Sequence, residues 1–279
     1  MTFLVTGATG SVGKHVVAQL RDAGVKVRVL TRNPGAAVFP PDVEVVGGDL
    51  GLPETLEPAL AGVERAYLFP HEGAAAFAEF AKKAGVSRIV ALSSASAGDE
   101  YKFDFNHESH LKHLGVEQAV EESGIDCTAI RPGAFASNSL LWANTIRSGA
   151  AVRAPFAAAA QALIHEADIA AVAAAALLED GHVGAKYTLS GPATITIADQ
   201  VRTIGAALGR EIPFEELSPE QARSELGQHV PEDVLQLLLG YWAEAVDNPD
   251  PVLPTVEQVT GRPPRTFAQW VADHASDFR

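Results

Sequence analysis

The stretch Val5-Thr6-Gly7-Ala8-Thr9-Gly10-Ser11-Val12-Gly13 decides how the rest of the chain is read. It follows a short apolar run at 3–6 and opens an amphipathic stretch at 12–23. Its glycines recur as G-x-x-G-x-x-G. A strand that turns through glycines into a helix lets the backbone approach a pyrophosphate closely. The helix start then offers free N–H groups and positive potential to the anion. Thr9 and Ser11 can add hydroxyl donors. The framing predicts a dinucleotide-binding turn at the head of an α/β domain.

Working outward, apolar runs at 25–30, 43–46, 66–69, 88–92 and 127–130 read as further buried strands. Helical patterns at 54–61, 73–84 and 108–122 lie between most of them. Strands that are apolar at consecutive positions meet water on neither face, so a parallel sheet covered on both sides is expected. The fold class is therefore α/β, a Rossmann-type doubly wound parallel sheet.

After about residue 190 the strand signal fades. Ser218-Pro219-Glu220-Gln221 has a hydroxyl N-cap, proline at the first helical position and glutamine at the third. Thr255 to Gln258 and Thr266 to Gln269 repeat the hydroxyl-to-glutamine spacing, and Pro231 is expected to open a helix through Val246. Proline-rich joints, Pro249-Asp250-Pro251 and Pro263-Pro264, separate these short helices. The expected organisation is a dinucleotide-binding domain over 1–190 and a smaller, mainly helical substrate lobe over 191–279, with contributions from about 134–165.

The composition narrows the partners. The 279 residues are 47% hydrophobic and 20% charged, with a formal net charge of −14. Such a surface repels nucleic acid and anionic membrane, so an anionic ligand needs a local binding device. The single cysteine, Cys127, excludes an internal disulfide and fits a reducing compartment. The N-terminal residues carry no basic run, and the alanine-rich stretch 170–178 is too short to span a bilayer. A cytoplasmic monomer or homodimer acting on a small molecule is expected.

The second strand selects the cofactor. It ends Thr31-Arg32-Asn33-Pro34, without the carboxylate that would bond the ribose hydroxyls of NAD. Arg32 is suited to clamp a 2′-phosphate, which favours NADP(H). Asp49, followed by Leu50, suits the adenine amino group, or else caps a turn.

Together with these, Arg131-Pro132-Gly133-Ala134-Phe135, Asp168-Ile169-Ala170, Tyr187 through Pro192 and Thr260 through Thr266 resemble the NmrA-like atypical branch of the short-chain dehydrogenase/reductase superfamily. The resemblance runs nearly end to end. It implies a fold whose C-terminal lobe closes over the nicotinamide, and it includes NADPH quinone reductases, triphenylmethane reductases and redox-sensing regulators. It implies that Gly7 to Gly13, Arg32, Asp49 and Leu50 hold the adenine half and that Leu68, Phe69 and Pro70 pass along the ribose. Ser93, Ser94, His113 and Pro132 to Phe135 would surround the nicotinamide.

Most members of that superfamily carry Tyr-x-x-x-Lys on the helix that here reads His107-Glu-Ser-His-Leu-Lys-His-Leu-Gly-Val-Glu117. Aligned on Glu117, His113 stands at the lysine position and Ser109 at the tyrosine position. Tyr101 is followed four residues later by Phe105, so it does not restore the pair. Reducing an unactivated ketone needs a positioned proton donor, and serine is a poor one. A quinone or conjugated enone accepts hydride into a delocalised anion that water can protonate later. A metal site is disfavoured, because His107 and His110 miss the H-E-x-x-H spacing.

His113 and Ser94 are the catalytic candidates, with Ser94 equally suited to capping a loop. Glu117 reads as structural, and Asp168 reads as the N-cap of the alanine-rich helix. Trp142, Phe156, Tyr241 and Trp242 could line an aromatic pocket or fill a core. The expected activity is hydride transfer from NADPH to a small electron-poor acceptor such as a quinone or enone. The alternative is a non-catalytic NADP(H)-binding redox sensor. A nucleotide-sugar epimerase is disfavoured by the missing tyrosine.

Overall fold

The computed structural model describes residues 1–101, 103, 107–228 and 230–279, with backbone alone for 107–109. The strands are β1 (Thr2–Thr6), β2 (Lys26–Thr31), β3 (Glu44–Gly47), β4 (Arg65–Leu68), β5 (Arg88–Leu92), β6 (Asp126–Pro132), β7 (Val152–Pro155), β8 (Ala160–Gln161), β9 (Lys186–Leu189), β10 (Ile195–Thr196) and β11 (Phe214–Leu217). The helices are α1 (Gly13–Asp22), α2 (Leu56–Leu60), α3 (Ala74–Ala84), α4 (His107–Ser123), α5 (Ala143–Arg147), α6 (Glu166–Leu178), α7 (Ile197–Leu208), α8 (Pro219–Leu226), α9 (Glu232–Asp247), α10 (Thr255–Thr260) and α11 (Phe267–Asp273).

One parallel sheet runs in the order β3-β2-β1-β4-β5-β6-β9. Its central strand pairs on both sides, with Val5 opposite Val29 and also opposite Tyr67. The chain leaves β1 outward through β2 and β3, then returns as β4 on the other side. That reversal opens a crevice at the carboxyl ends of β1 and β4, where doubly wound sheets bind ligands.

Alternating side chains feed two apolar layers. Phe3, Val5, Val27 and Val29 pack with Val16, Val17 and Leu20 of α1, the alanine face of α6 and Val256 of α10. Leu4, Ala66 and Leu68 pack with Leu56 and Leu60 of α2, Phe77 of α3 and Val116 of α4 on the opposite face. Each fully buried valine or leucine contributes roughly 1.5–3 kcal/mol relative to exposure, which fixes α1 rigidly behind the glycine turn.

Further apolar clusters join 136–163 to the C-terminal third. Ile146 of α5, Val152 of β7, Ile204 of α7 and Phe267 and Trp270 of α11 pack together. The capping boxes at Ser218/Gln221 and Thr266/Gln269 form, and α9 starts after Pro231.

Three features differ from the sequence reading. Thr255 is the first residue of α10 rather than its cap, because the preceding Pro254 takes that place. Strands β10 and β11 do occur after residue 190, but each is short and gains its partner, β8 or β7, from the middle of the chain. The N-cap of α6 is His165, whose Nδ1 accepts from Ala167 N–H at 3.1 Å. Asp168 lies inside that first turn and accepts from the Arg265 backbone at 2.6 Å and from its guanidinium. A charged partner 97 residues away thus outcompetes local capping. Among the described residues, no helix is long and apolar enough to cross a membrane.

Candidate functional site

The glycine turn is built as the spacing requires. Gly7 has φ of 60° and faces Phe69 so closely that an added Cβ would lie 2.8 Å from the Phe69 Cβ. A Cβ on Gly13 would lie 2.2 Å from the Gly7 carbonyl oxygen, so only glycine lets α1 approach β1 this closely. Thr6 stitches the crevice shut from below, its Oγ1 donating to Tyr67 O at 3.2 Å and accepting from Phe69 N–H at 2.7 Å. Ala8 and Val12 are buried and belong to the core, whereas Thr9, Gly10 and Ser11 are exposed. The first turn of α1 carries no acidic residue, so its N-terminal positive potential is left for an anion. This cradle fits the pyrophosphate of a dinucleotide.

On the adenine side, Thr31 ends β2 and Arg32 follows it exposed. Asp49 takes the turn-capping role, one of its two sequence readings. Its Oδ1 accepts from Gly51 N–H at 2.9 Å and so caps a turn, while its backbone is tied to Thr55 Oγ1. Leu50 and Leu68 are buried in the layer beneath, and Phe69 and Pro70 continue from the end of β4 with Phe69 exposed.

On the other side of the crevice, Ser93 and Ser94 follow the end of β5. Ser93 is buried and its hydroxyl donates to Glu117 Oε1 at 2.6 Å. Ser94 accepts from Ser96 N–H at 3.2 Å and caps a 3₁₀ turn, leaving it half-buried. Glu117 of α4 also receives a two-pronged contact from Arg131 of β6, at 2.8 and 2.7 Å, with Lys186 Nζ at 3.5 Å. Burial alone would raise the Glu117 carboxyl. The hydrogen bonds from Arg131 and Ser93 and the charges of Arg131 and Lys186 together hold it below the usual range.

His113 lies one helical turn before Glu117 and therefore on the same face of α4. Its Nδ1 is buried and has no hydrogen-bond partner among the described residues. Burial lowers its pKa, helped by Lys112 and opposed by Glu117. A buried ring nitrogen without a partner is costly unless a ligand completes it. His110 is spoken for, its Nδ1 lying 2.7 Å from Ser96 O. The expectations for Phe105 and for the His107 and Ser109 side chains lie outside the described residues.

Pro132 closes β6, and the Gly133 N–H donates to Leu189 O at 2.9 Å. A Cβ on Gly133 would lie 1.9 Å from the Tyr101 hydroxyl, so Tyr101 reaches the end of β6, where the family resemblance implies the nicotinamide would lie. Phe135 packs against the core beyond. Of the four aromatics singled out, Tyr241 lines a cavity beside Tyr101, whereas Trp142, Phe156 and Trp242 pack around Ala154 and Ala159. Asp250, on the same cavity, had no sequence signal beyond its two flanking prolines.

Comparison with known proteins agrees with this geometry. Residues 7–180 match the family described as NAD(P)H-binding. A (4-alkanoyl-5-oxo-2,5-dihydrofuran-3-yl)methyl phosphate reductase from Streptomyces griseus is 40% identical over 281 residues, 99% of this chain and 98% of that one. An NAD(P)H azoreductase from Xenophilus azovorans is 34% identical over 286 residues, 99% and 98% of the two chains. Among solved structures, an NADPH-dependent quinone oxidoreductase from Escherichia coli superposes with a TM-score of 0.78 at 24% identity, covering 97% of this chain and 98% of that one. With both the cradle and the sequence match in place, the chain belongs to the NAD(P)H-binding family, in its NmrA-like atypical short-chain dehydrogenase/reductase branch, and it is an NAD(P)H-dependent oxidoreductase like the two reductases it matches over nearly its full length.

Proposed function

We propose that this oxidoreductase uses NADPH to reduce a small, electron-poor acceptor such as a quinone or a conjugated enone. The observation that carries the cofactor half is the cradle at Gly7 and Gly13, which leaves no room for a side chain, with Arg32 exposed just after the end of the neighbouring strand β2. Thr9, Ser11 and the start of α1 would bind the pyrophosphate, Arg32 the 2′-phosphate, and His113 the nicotinamide ribose through its unpartnered Nδ1. Bound NADPH supplies the hydride.

The protein's own contribution is orientation and exclusion of water. Gly133 and Tyr101 wall the crevice at the end of β6, and the Glu117–Arg131 pair keeps α4 and β6 in register behind it. His113 is held neutral by burial, so its ring accepts or donates one hydrogen bond without adding charge. With serine at the superfamily's tyrosine position, the reading favours acceptors whose reduced form can wait for a proton from water.

The relatives' names support the same acceptor class. A 5-oxo-2,5-dihydrofuran bearing an alkanoyl group is a ring alkene conjugated to carbonyls, and an azo bond is likewise electron-poor. The test is NADPH consumption by the purified protein with a simple benzoquinone, a conjugated enone and an unactivated ketone. The reading expects turnover with the first two and none with the ketone. NADPH binding without turnover of any acceptor would move the assignment to a redox sensor.

A further inference from the structure

The turn 48–52 that follows β3 and the segment 69–73 between β4 and α3 touch at the carboxyl end of the sheet. Their contact is made by backbone: a Cβ on Gly73 would lie 1.9 Å from the Leu50 carbonyl oxygen, so glycine is needed for the two segments to meet. A Cβ on Gly51 would lie 3.5 Å from Asp49 Oδ1 and 3.5 Å from His71 Cε1. The Asp49 carboxylate and the edge of the His71 ring therefore flank one point.

His71 is half-buried, and its own segment fixes its tautomer. Gly73 N–H donates to His71 Nδ1 at 3.0 Å. A ring nitrogen that accepts carries no hydrogen, so the neutral ring holds its hydrogen on Nε2. Among the described residues Nε2 has no partner, and it is not sealed off from solvent. Asp49 divides its carboxylate in the same way. Its Oδ1 accepts from Gly51 N–H at 2.9 Å and holds the turn, while Oδ2 meets no donor among the described residues. A free N–H donor and a free carboxylate oxygen thus lie close together beyond β4, each on a side chain already tied to backbone by another atom.

We infer that His71 is a base-reading residue of the cofactor site: its Nε2–H donates to a ring nitrogen of adenine while Asp49 Oδ2 accepts from the neighbouring amino group. Adenine presents an amino donor beside a ring-nitrogen acceptor on one edge, the complement of what the pair offers. The other cofactor group a histidine could meet here is the 2′-phosphate, and the charges disfavour it. A neutral N–H is a weaker partner for phosphate than a guanidinium is. His71 also has the Asp49 carboxylate beside it and Glu72 next in the chain, whereas Arg32 stands between Thr31 and Asn33. Arg32 takes the phosphate and His71 the base.

This inference rests on the dinucleotide reading of the glycine cradle, and its test needs no turnover. His71→Asn keeps a side-chain oxygen that can accept from an N–H two residues on, but it is too short to replace Nε2. NADPH and NADH are titrated calorimetrically into the full-length wild type and the variant. Because adenine is common to both cofactors, both affinities are expected to fall about fivefold, about 1 kcal/mol each, with the Tm of the cofactor-free protein unchanged. A loss confined to NADPH would put the ring on the 2′-phosphate, and no loss for either would leave it as a turn cap. Both results overturn the proposal. Should the variant melt lower or fail to fold, nitrogen NMR spectra of the wild-type histidine rings decide instead. The His71 Nε2 signal is expected to shift on saturation with NADH, and a signal that stays in place overturns the proposal. Wild-type protein that binds neither dinucleotide would refute the cradle reading together with this one. Binding that is indifferent to His71 rejects this contact alone.

Discussion

Glu117 on α4 and Arg131 on β6 meet in a two-pronged contact of 2.8 and 2.7 Å with side-chain exposures of 1% and 10%. Removing one partner of such a buried pair leaves an uncompensated charge and costs about 3–5 kcal/mol. Glu117→Gln should therefore lower Tm by roughly 6–20 °C for a chain of this size, measured by thermal melting. Arg131→Met combined with Glu117→Gln should be less destabilised than Glu117→Gln alone. Equal loss in both would mean that the charge is not the cost.

The same pair sets an acid limit. Because the folded-state pKa of Glu117 lies below its unfolded value of 4.5, its stabilisation is complete above that value and is lost as pH falls through the folded pKa. Urea midpoints between pH 5 and pH 3 should drop more steeply for the wild type than for Glu117→Gln.

His113 titrates in the opposite chemical sense with the same outcome. Its pKa is depressed by burial below 6.5, so the unfolded chain binds the proton more readily. Stability is therefore full above pH 6.5 and declines as pH falls toward the folded pKa. In His113→Gln, the slope of Tm against pH between 6.5 and 5 should flatten. If Nδ1 meets the ribose, NADPH affinity should also fall in that variant.

Arg32→Ala is expected to weaken NADPH binding about 10- to 100-fold, the worth of a charge-assisted contact of roughly 1.5–3 kcal/mol. NADH affinity should stay within about twofold, a shift below about 0.4 kcal/mol. Equal losses for the two cofactors in a calorimetric titration would remove Arg32 from the phosphate site.

At Gly13 the obstruction is backbone, the Gly7 carbonyl 2.2 Å from an added Cβ. Alanine there cannot be relieved by a rotamer change, and overpacking of this kind costs about 1–3 kcal/mol. Gly13→Ala should weaken NADPH and NADH binding together, because the pyrophosphate is common to both. Unchanged affinity for both would argue that the turn is scaffolding alone.

The α/β alternation was legible because parallel strands buried on both faces are written as continuous apolar runs, such as Arg88–Leu92. The edge strand β9, Lys186–Leu189, is not legible as one. It alternates polar and apolar residues at the sheet's edge, and among the described residues it pairs with β6, more than fifty residues earlier. The glycine turn was legible for a local reason, since its geometry depends on neighbours within a few residues. Asp168 reads locally as a cap, whereas the partner that takes its carboxylate, Arg265, lies 97 positions away. Nor could any local pattern reveal that Asp250 faces Tyr101, since that cavity joins segments about 150 residues apart in the chain.

The most direct test of the central claim is a single-turnover mixing experiment with the NADPH-loaded protein and a simple benzoquinone, following NADPH and hydroquinone together. The account predicts one hydroquinone formed per NADPH consumed, with the rate slowed when the transferred hydrogen of NADPH is deuterium. NADPH that stays bound and unconsumed in the presence of quinones, enones and azo compounds alike would contradict it.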